Sequence, residues 1–128
     1  MAFTHTLDSL KKSMLSDSLI RTVTVTANNN TFTIDPNTAG LFLVTASTNS
    51  TIAISNLNSA FDTTGSVFSI LLTLGSDSLT ISWPNNIDWN EGEAPELSYK
   101  NLVTFTKFDS SNKWVAGSIV VDDTFPSA

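Results

Sequence analysis

Arg21-Thr22-Val23-Thr24-Val25-Thr26-Ala27-Asn28-Asn29-Asn30-Thr31-Phe32-Thr33-Ile34 is the stretch on which the fold reading turns. Over residues 21–26 the side chains alternate, with Val23 and Val25 on one face together with Arg21, and Thr22, Thr24 and Thr26 on the other, the period of a half-buried strand. Three asparagines then turn the chain, and residues 31–34 alternate again, so the pair reads as a hairpin. Asp35-Pro36-Asn37 closes the second strand.

Further strands are expected at 41–46, 51–55, 66–74, 79–83, 102–108 and 114–121, separated by Gly-, Asn-, Asp- and Ser-rich breaks. No helical pattern lies between them, as a parallel α/β sheet would need. The expectation is an all-β protein: an antiparallel two-sheet β-sandwich, jelly-roll-like, of about eight strands. Residues 67–74 are apolar on both faces, which places that strand at the centre of the sandwich or under a partner chain. Residues 84–100, with two prolines and no period, read as one long ordered loop, a length usually tied to function. No internal repeat is visible.

The chain has 128 residues, 41% hydrophobic and 14% charged, with 12 acidic and 6 basic side chains, a formal charge of −6 and no cysteine. That length fits one domain able to bury its own core. Ser, Thr and Asn form roughly 38% of it, far above the usual share, which suits strands and turns. Thiolate metal sites and iron–sulfur clusters are excluded. A net negative charge argues against nucleic acid, whose phosphates demand clustered Lys and Arg, and against an anionic membrane surface. Residues 1–10 lack the basic start and apolar core of a signal peptide, and the longest nearly apolar run is too short to insert in a membrane as a helix.

Leu7, Leu10 and Met14 recur at helical spacing behind Thr6 and Asp8, so a short amphipathic helix or arm is expected over 7–15. Too short to be stable alone, it needs its stripe covered. Lys11, Lys12 and Arg21 are half of the basic residues, so residues 1–18 read as an attachment segment and 19–128 as the β domain. Leu7, Leu10, Lys11, Lys12 and Met14, with Phe68, Ile70 and Leu72 of the doubly apolar strand, are the expected oligomer or particle contacts.

Asp88, Glu91, Glu93 and Glu96 gather in the long loop. Such carboxylates can serve as acid and base on a glycosidic bond or bind calcium, but Gly92 comes one position early for an EF-hand and the ligand alternation is missing, so a solvated acidic loop is the stronger reading. Trp83 and Trp114, at strand ends, read as core; Trp89 and Tyr99 are more open to ligand, with Asn90, Glu91 and Glu93 beside them, a set suited to stacking on and hydrogen-bonding a sugar. His5 is the single histidine, and no nucleophile elbow, phosphate loop or His-Glu metal motif occurs. No catalytic residue, metal or cofactor is expected.

The last third of the chain carries an ordered series: Leu79-Thr80-Ile81-Ser82-Trp83-Pro84, then 87–97 (IDWNEGEAPEL), then Asn101-Leu102-Val103-Thr104-Phe105, a turn at Asp109, and Trp114-Val115-Ala116-Gly117. This series resembles one found in surface proteins of tailed bacteriophages, where a strand ending in Trp-Pro leads to a W-x-x-G-x-x-P-x-L loop and a V-x-F…D…W hairpin. The resemblance implies a non-catalytic β-sandwich module of tail fibres, appendages and capsid surfaces, commonly trimeric. Gly92 matches its turn, Pro95 and Leu97 its return and Trp114 its closing strand. Neither the acidic residues at 91, 93 and 96 nor the N-terminal third belongs to the pattern. The expected function is a virion structural protein, a capsid-surface decoration or stabilising protein that forms a homotrimer and binds a major capsid or tail protein; the alternative is a tail-fibre or receptor-binding tip that takes a host-surface glycan. A small hydrolase is the remaining class.

Overall fold

The computed structural model describes residues 21–55, 66–107 and 113–126. Nine strands form among them: β1 (Thr22–Thr24), β2 (Thr31–Ile34), β3 (Leu41–Ala46), β4 (Ser50–Ile54), β5 (Ser66–Leu74), β6 (Ile81–Ser82), β7 (Ile87–Trp89), β8 (Lys100–Lys107) and β9 (Trp114–Asp122), with no helix among the described residues. The all-β expectation holds. The helix expected over 7–15, the attachment segment 1–18, His5 and the contacts Leu7, Leu10, Lys11, Lys12 and Met14 lie outside the described residues.

The expected antiparallel topology is replaced by a mixed one. A six-stranded sheet runs β1-β3-β5-β8-β9-β7 and a three-stranded sheet runs β2-β4-β6. Pairing is parallel between β1 and β3, β3 and β5, β2 and β4, and β4 and β6. The chain thus alternates between sheets and winds through three turns of a coil, each strand lying beside the one two places earlier. Thr22 is opposite Leu41 and Leu41 opposite Ser69, while Thr31 is opposite Thr51. The crossover that a parallel pair needs is supplied here by a strand of the facing sheet instead of a helix. Among the described strands, only β5 with β8 and β8 with β9 are antiparallel, and β7 joins β9 in parallel at the edge.

The expected hairpin at Asn28–Asn30 shows why the topology differs. The turn itself forms: Asn29 and Asn30 have φ of 52° and 62°, the left-handed pair of a tight two-residue turn, and Asn28 and Thr31 exchange backbone hydrogen bonds of 2.9 and 3.0 Å. The ladder ends after that single bridge. The Val25 amide donates to the Leu43 carbonyl at 2.9 Å, holding the first strand's end in the larger sheet, while Phe32 to Ile34 pair with β4 in the smaller one. Polar side chains fix the coil's corners. Asn37 N–H donates to Asp35 Oδ1 at 3.0 Å, the Thr48 hydroxyl to Asn30 Oδ1 at 3.1 Å, and Thr80 N–H to Asn49 Oδ1 at 2.8 Å.

The inner faces of both sheets contribute to one buried cluster. Phe32, Ile34, Ile52 and Ile54 come from the smaller sheet, and Phe42, Val44, Phe68, Ile70, Leu72, Val103, Phe105 and Trp114 from the larger. The ring of Phe68 stacks on Phe105 at 4.8 Å and meets the edges of Phe42 and Trp114 at 5.8 and 5.0 Å. Trp83 and Trp114 take the core roles expected of them, Trp114 being wholly buried and Trp83 packed on the cluster from the side.

β5 sits in the middle of the larger sheet, flanked by β3 and β8. Phe68, Ile70 and Leu72, expected at an oligomer or particle contact, are 2%, 0% and 0% exposed and belong to the core. Alternation sends these three inward, so the residues available to a partner are those between them.

Candidate functional site

The long segment after Trp83-Pro84 is not one loop. Ile87 and Trp89 point inward and Asp88 outward, and these three residues pair with Trp114, Val115 and Ala116 as the edge strand β7. Three residues give too short an alternation to distinguish a strand from irregular chain. Asp88 lies on the outer side, its carboxylate 3.6 Å from Lys113 Nζ in an exposed pair worth little to stability.

Beyond β7 the chain turns sharply. Gly92 N–H donates to the Trp89 carbonyl at 2.9 Å, and Gly92 has φ of 86°, a conformation in which a side chain is strained, as its place in the sequence suggests. Glu91, Glu93 and Glu96 remain exposed, whereas Leu97 returns to pack on the core. Asn101 pins the end of the segment. Fully buried, it accepts from Ser98 N–H at 2.8 Å and donates to the Ser98 and Leu72 carbonyls at 2.8 and 3.3 Å, so both ends of its amide are satisfied.

An open cleft of about 320 Å³ lies between this segment and β9, lined by Asn90, Glu91, Glu93, Ala94, Pro95, Glu96, Ser118 and Val120. Pairing between β7 and β9 ends at Ala116, so Ser118 and Val120 of β9 face the departing loop instead of a strand. The Ser118 hydroxyl is buried without a hydrogen-bond partner. Three carboxylates and one amide give the cleft hydrogen-bond acceptors and negative charge, and no basic side chain lines it. Such a lining suits a neutral polyhydroxy molecule and repels anions. Among the described residues, no three His, Asp or Glu side chains converge as metal ligands.

Of the residues expected to face ligand, the structure brings Asn90, Glu91 and Glu93 into this cleft and leaves two out. Trp89 turns inward, its ring 5.2 Å from Trp83 and 6.2 Å from Phe105, and anchors the loop to the core. Tyr99 packs against Phe125 at 5.6 Å, with Lys100 Nζ 5.7 Å from its ring. Neither aromatic lines the cleft, so the expected stacking platform is not assembled beside the carboxylates. Ser118 and Val120 are site residues that sequence reasoning missed. Both lie on a strand read only for its alternation, and nothing local marks where its neighbour departs.

Comparison of the chain with protein-family models, with curated proteins and with solved structures gives no match.

Proposed function

We propose that this protein is a non-enzymatic structural protein of a tailed-bacteriophage virion, a β-sandwich that decorates or stabilises the capsid surface as a symmetric oligomer, with the trimer as the state its motifs imply. The observation that carries the reading is the Trp-Pro to Trp114 series, because its members act as one unit. Trp83, Trp89 and Leu97 pack on the cluster that buries Trp114, and Gly92 makes the turn that lets the segment return. Residues 1–18 would attach the module to a major capsid or tail protein, leaving an inert polar surface facing outward.

The second reading, a receptor-binding tip, is favoured by one feature, the acceptor-lined cleft beside Glu91, Glu93 and Glu96. The test of the first reading is whether the protein travels with particles. The full chain is expected to co-sediment with purified tailed-phage capsids that lack a bound copy, and Trp89→Ala and Glu93→Gln glycan-array profiles are expected to be as blank as the parent's. Failure to bind any capsid, together with glycan binding lost on Glu93→Gln, overturns the first reading in favour of the second.

A further inference from the structure

We infer that the outer face of the six-stranded sheet is the surface on which a second copy of this chain docks. The inference rests on the oligomeric reading above and names the surface that reading requires. The pairing registers align Leu43, Leu71, Leu102 and Ile119 in one row across β3, β5, β8 and β9. Alternation directs all four away from the core, since Phe42, Val44, Ile70, Leu72, Val103 and their neighbours occupy the inward positions. A second apolar pair flanks the row, Val67 and Val115, both opposite Thr106. Ile119, on β9 near the sheet's edge, is 67% exposed and Val67, on the central β5, 52%, large values for aliphatic side chains on a sheet face. Half-buried leucines carry part of the row, so the patch is continuous instead of a scatter of single residues.

Three features select a copy of this chain as the occupant. The first is charge. The chain is −6 overall, so two copies repel wherever acidic surfaces meet, whereas the described charges of this face balance. Its charged groups stand at its ends and in opposite-sign arrangement, Lys100 across from Asp122 and Asp88 beside Lys113. The second is polar satisfaction. Between the two apolar rows, Ser69 Oγ and Thr104 Oγ1 lie 2.9 Å apart and hydrogen-bond each other, so covering the face need not leave those hydroxyls without a partner. The third is size. Six strands of three to nine residues at ~4.8 Å spacing and ~3.3 Å rise give a face of ~600 Å². Specific interfaces begin at ~600 Å² from each partner, so the face has the size of a small dimer contact.

The test is sedimentation velocity on the full chain from 1 to about 100 μM, comparing the parent with Ile119→Lys and Val67→Lys, each at an exposed position and each checked for a native tryptophan emission spectrum. The parent is expected to form a discrete dimer or trimer, and Ile119→Lys to raise its dissociation constant at least about tenfold, with Val67→Lys acting in the same direction. An oligomeric parent whose mass neither variant changes overturns this surface while leaving the oligomeric reading intact. A parent that stays monomeric throughout the range overturns both.

Discussion

Strands β1 to β6 and strands β7 to β9 use the same alternating residues but are held together differently. In the first group, parallel strands return to the same sheet after a full turn of the coil, and side-chain carboxylate, amide and hydroxyl groups fix the corners: Asp35 on Asn37, Asn30 with Thr48, Asn49 on Thr80. In the second, β8 and β9 pair antiparallel over most of their length, and the closure is aromatic, with Phe105, Trp83 and Trp89 meeting within 6.2 Å and Trp114 edge-on to Phe68. A coil without a helix has its corners marked by side chains, whose hydrogen bonds set where one strand ends and the next begins. An antiparallel closure needs bulk, because neighbouring strands already fix each other.

That contrast can be broken from either side. Trp114→Ala empties the largest fully buried side chain and is expected to cost about 4 kcal/mol, read as a fall in the urea midpoint at constant slope. A cost near zero would mean that the aromatic closure is dispensable. Asn101→Ala should come next, at about 2 kcal/mol, since it leaves the Ser98 amide and carbonyl without their partner at a buried site. Asn101→Asp supplies the acceptor but not the donor and separates the two contributions in the same denaturation series. Smallest is Asn49→Ala at the coil's corner, about 1 kcal/mol, because the Thr80 N–H it releases lies at an exposed corner and can turn to water. Faster amide exchange at Thr80 without change at Val103 would mark the loss as local to the coil.

Legibility in the sequence follows the same division. Inward and outward faces are legible where polar and apolar residues alternate, so Phe32 and Ile34 are buried where their spacing puts them. In the apolar runs at 41–44 and 67–74 either phase could face the core, and only the sheet sends Phe42, Val44, Ile70 and Leu72 inward. The three-residue strand β7 escaped, and with it the cleft that opens where β7 leaves β9. The candidate site was legible in part, since the acidic residues were visible as a cluster and Gly92 as a turn. Ser118 and Val120 were not, because they matter only through the absence of a neighbouring strand. Trp89 departs from its expected ligand-facing role for a related reason. In the sequence it stands among acids, but its strand phase sends its ring inward to Trp83.

An all-β chain, the buried face of the alternating strand β2, and the turns at Asn28–Asn30, Asp35–Asn37 and Gly92 are set by local sequence. These depend on period-two alternation and on backbone preferences, both local properties. Tertiary structure alone decided which strand lies beside which. A strand's alternation is satisfied equally by a hairpin neighbour or by a strand from the next turn of a coil, since either arrangement buries the same face. Partner choice depends on where Val25 and Leu43 meet across the sheet, a long-range contact that no local pattern records.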